Sequence, residues 1–292
     1  MTFTSFQDER LWHGRVAIVE NTPLARDTYR LRFVCPEIAQ RIVPGQFMMF
    51  RLSGCNDPLL GRPLALYDIS EDAHGRPRFV EVVYLVVGKM TRLLAQLQPG
   101  GGLEVWGPLG NGFSPAPAAE HLILVAGGIG QTPFLALAHE SLGLKRYGRP
   151  PRIVTPVKKV TLCYGVRTQA YLAGVEDFRR SGVEVLVSTD DGTAGHCGPV
   201  TDLIRPAIEG SAYSCRLVCC GPEAMLAAAA ALAKKLGVPC QVSLESPMAC
   251  GTGICFGCVR KIQDAEGRWD YRRICVEGPV FDAEKVEFDY QE

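Results

Sequence analysis

The feature that most restricts how this chain can fold lies near its C-terminal end. It is the run Cys250-Gly-Thr-Gly-Ile-Cys255-Phe-Gly-Cys258, with Cys275 following after sixteen further residues. A C-x4-C-x2-C run with a distant fourth cysteine is the spacing of plant-type ferredoxin [2Fe–2S] centres. Four thiolates converging on two irons need a loop that wraps closely around them. Gly251, Gly253 and Gly257 remove Cβ bulk there, so backbone N–H groups can approach the sulfurs. Ile254 and Phe256 are expected to limit the access of water. Spacing alone leaves two other readings open, a zinc site of four cysteines and cysteines placed by chance. Zinc sites usually come as two C-x2-C pairs, which is not the pattern here.

The other eight cysteines, at positions 35, 55, 163, 197, 215, 219, 220 and 240, have no ligand spacing and read as small hydrophobes. Twelve cysteines in 292 residues argue for metal or redox chemistry in a reducing compartment rather than a disulfide frame, so the cytoplasm is the expected location. The stretch from Met1 to Gly14 lacks a basic start followed by an apolar run, so no signal peptide is expected. The longest apolar run, Ala224 to Ala233, is about half of what a membrane-spanning helix needs. Lys+Arg and Asp+Glu are 31 each, and a general nucleic-acid binder would carry a basic excess. Neither a membrane nor a nucleic acid is expected as a partner.

This length predicts about two domains, or two plus a small appendage. The expected spans are residues 1–115, 116–238 and 239–292. In the first, strands are predicted at Arg15–Glu20, Thr28–Val34, Gln46–Leu52, Leu64–Ile69, Phe79–Val87 and Leu103–Trp106, with one helix over Thr91–Leu97 capped by Thr91. That pattern predicts a small antiparallel barrel. After the linker Ser114-Pro115-Ala116-Pro117, strands at His121–Ala126, Val160–Tyr164, Val183–Ser188 and Leu217–Cys220 alternate with helices, the first over Phe134–Leu142. Alternation of this kind implies a parallel sheet covered on both faces. The Pro-rich basic stretch Lys145–Lys159 reads as an exposed loop, and the segment from about Cys240 is too short for a large core of its own. The fold class is β plus α/β: an N-terminal antiparallel β-barrel, a central parallel α/β sheet and a small C-terminal cluster subdomain.

In open α/β sheets ligands bind at the C-terminal edge. Gly127-Gly128-Ile129-Gly130 falls at such a strand end, where a phosphate can approach the backbone, Thr132 can cap the next helix, and the helix N-terminus favours an anion. A plain tight turn would read the same. Asp190-Asp191-Gly192 offers Asp190 as a hydroxyl acceptor for a ribose, or is an ordinary surface turn. Cys220-Gly221-Pro222 marks a strand-to-helix junction at the same edge. In the barrel, Arg62 begins a strand with a forked donor for a diphosphate. Tyr84 can stack on a flat ring or belong to the core, and Gly88-Lys89-Met90-Thr91 opens the helix. His13, His74, His121, His139 and His196 are scattered and read as surface or satisfied residues. No acid–base or nucleophile constellation emerges.

Taken in order, Arg62-Pro63-Leu64-Ala65, Tyr84, Gly88-x-x-Thr91, the segment Gly107-Pro108-Leu109-Gly110-Asn111-Gly112-Phe113, Gly127–Gly130, Thr189-Asp190-Asp191-Gly192, Cys220-Gly221-Pro222 and the terminal cysteines span almost the whole chain. The set resembles the electron-transfer subunits of type B dihydroorotate dehydrogenases, within the ferredoxin–NADP reductase superfamily. Ser243-Leu244-Glu245-x-x-Met248-Ala249-Cys250-Gly251 and Cys275-x-x-Gly278-Pro279-Val280-Phe281 are particularly similar. The resemblance implies FAD in the barrel, held by Arg62, Pro63, Leu64 and Ala65, by Val83, Tyr84 and Leu85, and by Met90 and Thr91. It implies NAD(H) as co-substrate at Gly127, Gly128, Gly130, Cys220, Gly221 and Pro222, and a [2Fe–2S] cluster on Cys250, Cys255, Cys258 and Cys275. It also implies a hetero-oligomer with a flavin-containing catalytic subunit of pyrimidine biosynthesis. The chain departs from the family's usual residues at Ala65 (Ser or Thr), Leu85 (Arg) and Met90 (Gly), and in the stretch Lys145–Lys159, which leaves room for a different partner.

The expected activity is that of an oxidoreductase subunit: NADH reduces FAD, the cluster accepts electrons singly, and a flavin in another protein receives them, or the flow reverses. The chain alone is not expected to oxidise dihydroorotate. Two alternatives stand beside this one. The first is a self-sufficient NAD(P)H oxidoreductase for ferredoxin or another carrier, or a relay subunit of a different reductase complex. The second is a non-catalytic metal- or ligand-binding sensor.

Overall fold

Short apolar-alternating strands curl the chain between Trp12 and Leu109 into a closed antiparallel sheet. The computed structural model describes residues 11–115 and 119–288, so residues 1–10 and the linker positions 116 and 117 lie outside it. The strands are β1 (Trp12–Ala25), β2 (Thr28–Val34), β3 (Phe47–Leu52), β4 (Arg62–Ala65), β5 (Asp68–Glu71), β6 (Pro77–Leu85) and β7 (Gly102–Leu109), in the order β4-β3-β7-β1-β2-β6-β5. Two short helices, α1 (Pro36–Ala39) and α2 (Lys89–Leu94), complete this unit. The two sheet edges meet where Leu66 N–H donates to the Gln46 carbonyl (3.0 Å) and Tyr67 N–H to that of Glu81 (2.9 Å). This crossing splits the expected single strand Leu64–Ile69 into β4 and β5, one at each edge.

Strand β3 is apolar at four consecutive positions because both its faces are buried. Met48 and Phe50 point into the barrel core, whereas Phe47 and Met49 join a second core outside it. Helix α2 begins earlier than the sequence predicts, with Gly88 at its N-cap. Thr91 sits inside the first turn, and its hydroxyl oxygen accepts the N–H groups of Val87 (3.0 Å) and Gly88 (3.1 Å). It therefore secures the helix start from the third helical position rather than as the cap.

The central sheet contains β8 (His121–Gly127), β9 (Lys159–Val166), β10 (Glu184–Thr189), β11 (His196–Cys197), β12 (Cys215–Cys220) and β13 (Cys240–Ser243). Beyond it come the antiparallel hairpin β14 (Val259–Gln263) and β15 (Trp269–Arg273), then β16 (Val280–Asp282). The sheet order is β11-β10-β9-β8-β12-β13-β16, parallel except where β16 runs against β13. Helices α3 (Phe134–Ser141), α4 (Val175–Arg180), α5 (Ile204–Glu209) and α6 (Glu223–Leu236) cover it. Helix α6 buries Leu226, Ala229 and Ala233, a stripe at helical spacing whose small residues admit a close approach. Two strands from beyond residue 238 thus complete the central sheet, which roots the cysteine segment in it. Among the described residues no helix is long and apolar enough to cross a membrane.

The stretch Lys145–Lys159 is not a free loop. Lys145 Nζ donates to Asp68 Oδ2 (2.6 Å) and to the Ile69 carbonyl (2.7 Å), and the Tyr147 hydroxyl donates to Asp68 Oδ1 (2.6 Å). Arg149 reaches Gln40 (2.9 Å), while Arg152 donates to the Phe113 carbonyl (2.6 Å) and pairs with Glu140 of α3. Lys145 and Arg152 are drawn in by buried acceptors while Arg146, Arg149 and Lys158 stay exposed, and the segment straps the barrel to the central sheet's first helix.

Candidate functional site

The loop between β13 and β14 brings the sulfurs of Cys250 and Cys255 to 3.3 Å, and just beyond β15 the N–H of Ile274, next to Cys275, donates to the Cys258 carbonyl at 3.0 Å. Cys258 and Cys275 are buried, Cys250 is half-buried and Cys255 is exposed. Gly251 (φ 72°) and Gly253 (φ 84°) are left-handed. A Cβ at either would lie 2.5 Å from a neighbour, Met49 Cγ in the first case and Val276 Cγ2 in the second. Thr252 N–H points at Cys250 Sγ (3.4 Å) and Gly257 N–H at Cys255 Sγ (3.5 Å). Burial opposes the Cys250 thiolate, yet the N–H donors of Cys255 and Thr252 outweigh it and bring the thiol down to about 6. Burial, reinforced by Cys258, pushes Cys275 up to about 12.

Two pairs of sulfurs, with amide N–H groups aimed at Cys250 and Cys255, have the donor chemistry that two irons take, although among the described residues no three of these side chains close into one metal-binding group. Ile254 and Phe256 do not shield this loop. They are 73% and 61% exposed, with the Arg273 guanidinium over the Phe256 ring at 5.1 Å. A loop that turns its glycines inward leaves room for large side chains only outside.

The cysteine loop is seated on the barrel. Met49 of β3 pairs with Pro63 on one side and Trp106 on the other, and Phe47 pairs with Ala65 and Leu109. Residues opposite one another share a face, so Pro63 and Ala65 stand beside the layer in which Phe47, Met49 and Leu109 pack with Cys258 and Cys275. Asn111 clasps the two units: its side-chain amide donates to the carbonyls of Glu277 (3.0 Å) and Val280 (2.8 Å) and accepts from Val280 N–H (3.0 Å). Gly110 (φ 74°) lets them meet, since a Cβ there would lie 2.7 Å from the Gly278 carbonyl oxygen. Arg260 of β14 pairs with Glu223 of α6 at 2.9 Å.

At the C-terminal edge of the central sheet, two glycine turns are joined backbone to backbone. A Cβ at Gly130 would lie 2.1 Å from the Cys220 carbonyl oxygen, and one at Gly127 would lie 2.7 Å from Pro222 Cδ. Gly128 (φ 56°) faces open space. Thr132 does not cap α3: Pro133 holds that position, and the buried Thr132 hydroxyl donates to the Ile129 carbonyl at 2.7 Å. Asp190 is exposed beyond β10. Its neighbour Asp191 accepts from the hydroxyl (2.6 Å) and N–H (3.0 Å) of Thr193, which hold its carboxyl below the usual range. Burial pushes Cys220 up to about 12, so it stays a thiol. Sequence reading missed Gln131, which is fully buried with neither side-chain amide atom partnered among the described residues. Uncommitted polar capacity at the root of the glycine turn suits a polar ligand.

In the barrel, Arg62 is exposed and donates to the carbonyls of Leu60 and Gly61, both at 3.0 Å. Pro63, Leu64, Ala65 and Leu85 are half-buried, whereas Val83, Met90 and Thr91 are buried. Tyr84 belongs to the core. Its ring stacks on Tyr29 (5.8 Å, 18°) and its hydroxyl donates to Asn21 (3.0 Å), so stacking on a ligand is not its role. An edge strand carrying an exposed Arg fits a flavin dinucleotide.

Of the remaining cysteines, Cys35, Cys163 and Cys219 are buried, as small hydrophobes should be, whereas Cys197 is exposed. His121 is satisfied by Ser211 and Thr161 (both 2.8 Å), and His139 by Ser181 (2.7 Å).

Two family models match the chain. "Oxidoreductase FAD-binding domain" covers residues 15–113, and "Iron-sulfur cluster binding domain of dihydroorotate dehydrogenase B" covers residues 245–287. The dihydroorotate dehydrogenase B (NAD(+)) electron transfer subunit of Desulforamulus reducens is 35% identical over 265 residues, 90% of this chain and 94% of that protein. The subunit of the same name from Geobacillus kaustophilus is 37% identical over 276 residues, 93% of this chain and 97% of that protein. A chain from the structure of an NADH-dependent reduced ferredoxin-NADP oxidoreductase, studied for flavin-based electron bifurcation, superposes with a TM-score of 0.76 at 29% identity, covering 94% of this chain and 90% of that one. The ferredoxin reductase of carbazole 1,9a-dioxygenase shares the fold, with a TM-score of 0.63 at 21% identity over 78% of this chain and 67% of that one. With identity above 30% sustained over nearly its whole length, the chain belongs to the electron transfer subunits of dihydroorotate dehydrogenase B.

Proposed function

We propose that this chain relays electrons between NAD(H) and a flavin-containing catalytic partner of the dihydroorotate dehydrogenase type, in a hetero-oligomer. The observation that carries the reading is the seating of the cysteine loop on the barrel face that also holds Pro63 and Ala65. A flavin bound beside it would convert the electron pair of a nicotinamide hydride into single electrons that a two-iron cluster can carry.

The chain's own residues bind and position. Arg62 offers its guanidinium to the FAD diphosphate, Pro63, Leu64, Ala65, Val83 and Leu85 line the flavin side of the barrel with only the backbone of Tyr84 between the last two, and Met90 and Thr91 start the helix beside it. Gly127, Gly128, Gly130, Cys220, Gly221 and Pro222 receive the nicotinamide nucleotide, Thr132 closes that turn on the Ile129 carbonyl, and Asp190 accepts a ribose hydroxyl. Cys250, Cys255, Cys258 and Cys275 hold the cluster. The outward-facing Ile254 and Phe256, with Trp269 and Tyr271 of the hairpin 52% and 54% exposed, offer an apolar surface to the partner. We assign residues 1–115, 116–238 and 239–292 to these three tasks, with β13 and β16 serving the sheet as well. Four reduced thiols suit a cytoplasmic location.

The likeness to the ferredoxin-NADP oxidoreductase chain favours a second reading, a relay whose partner is a different reductase. Anaerobic purification from the native host separates them: the chain should carry FAD and two irons, co-elute with a flavin-containing second chain, and reduce dyes with NADH. Dihydroorotate oxidation by the purified chain alone would refute the subunit reading, and mass spectrometry of the co-eluting chain decides between the partners.

A further inference from the structure

We infer that Trp106 is the positioning residue that locks the cysteine loop onto the flavin-binding segment, an inference that rests on the electron-relay reading above. Trp106 lies on β7, beside Met49 in the sheet. Its indole Nε1–H donates to the Cys250 carbonyl at 2.9 Å, a bond that joins residues 144 positions apart. The far end of the same ring covers Gly61, the residue immediately before Arg62. A Cβ at Gly61 would lie 2.7 Å from Trp106 Cη2 and 3.0 Å from the Phe50 carbonyl oxygen. Gly61 is buried, and its φ is not in the left-handed region, so space rather than backbone conformation requires a glycine there. Met49 completes the contact, pairing with both Trp106 and Pro63 and occupying the space a side chain at Gly251 would take. His13 closes the indole from another side, edge-on at 6.1 Å.

One rigid side chain therefore spans from the residue preceding the diphosphate-binding Arg to the peptide of a cysteine ligand. An indole has few rotamers, and a half-buried N–H with a satisfied acceptor fixes its orientation. By holding the Cys250 carbonyl, Trp106 sets the direction of a peptide dipole next to a ligand sulfur, and such groups around a cluster tune its electronic state. The indole itself is neither oxidised nor reduced. With both groups bound, an electron passing from the flavin to the cluster would cross a gap that Trp106 holds constant through its contacts with Gly61 and Cys250.

The test uses the flavin- and iron-loaded chain. Trp106→Phe keeps most of the ring contact and removes the N–H, whereas Gly61→Ala pushes the ring from its other end and leaves the N–H in place. Both should shift the g-values of the NADH-reduced cluster in EPR. Trp106→Phe should also slow cluster reduction by NADH about tenfold, the lower end of what loss of a supporting hydrogen bond around a metal ligand causes, with flavin reduction unchanged, and Gly61→Ala, which keeps that bond, should slow it in the same direction. Unaltered EPR spectra and unaltered cluster reduction in both variants would overturn the inference; if Trp106→Phe fails to fold, Gly61→Ala decides on the same readouts. A wild-type cluster that NADH never reduces would instead overturn the relay reading. Dithionite-reduced EPR spectra would then still report whether the bridge exists.

Discussion

Replacing Asn111 by alanine should loosen the cysteine segment from the barrel without touching a cysteine. The side chain makes three hydrogen bonds to that segment, to the carbonyls of Glu277 and Val280 and from the Val280 N–H, at 2.8–3.0 Å. At about 1 kcal/mol for each bond lost from a half-buried site the sum is about 3 kcal/mol, and water reaching some of these groups brings it nearer 2. A local opening that is 2–3 kcal/mol easier is populated about 30- to 150-fold more. Amide exchange at Val280, whose N–H is bound by Asn111 Oδ1, should accelerate by that factor, and iron should be lost faster to a chelator. Asn111→Asp should do no better, because it keeps one acceptor but sets a carboxylate against two carbonyls. Exchange at Val280 and chelator bleaching both within a factor of two of the wild type would refute the clasp.

Three further outcomes follow from the geometry. Gly130→Ala must separate a pair of packed turns, since its Cβ would sit 2.1 Å from the Cys220 carbonyl oxygen. Overpacking of about 1–3 kcal/mol should weaken NADH binding about tenfold or more with flavin and iron retained, as titration would report; unchanged affinity would separate the nucleotide from these turns. Burial opposes the charge of Asp68, but the His139 hydrogen bond and the Lys145 ammonium outweigh it and hold the carboxyl below its usual range. That stabilisation is present above about pH 4 and is lost as the pH falls through the depressed folded-state value. Asp68→Asn should cost about 2 kcal/mol in urea unfolding at pH 7 and flatten the acid limb, so equal acid sensitivity in both proteins would count against it. Cys255→Ser alters an exposed side chain and cannot unpack the core. Iron analysis and EPR should show the cluster lost and FAD kept, and intact iron would remove Cys255 from the ligand set.

Local chemistry was legible where the chain meets only itself or a regular neighbour. The cysteine spacing, the glycines inside it and the continuous apolar run of β8 follow from rules of short range. Contacts made across long separations were not. Thr91 looks like a cap in sequence, yet Gly88 takes that place because the turn approaches from Val87. Lys145–Lys159 reads as a solvated basic loop, but Asp68, Glu140 and the Phe113 carbonyl, all distant in sequence or buried, hold it down.

A barrel, a parallel sheet and a cysteine-rich end can be read from the residues in order, because strand period, turn chemistry and ligand spacing are properties of neighbouring residues. The binding of the last segment into the central sheet through β13 and β16, and the outward facing of Ile254 and Phe256, come from the packed three-dimensional arrangement. It alone brought Gly61, Trp106 and Cys250 together. Which side of a loop is inside depends on what packs against it, and that partner lies more than a hundred residues away along the chain.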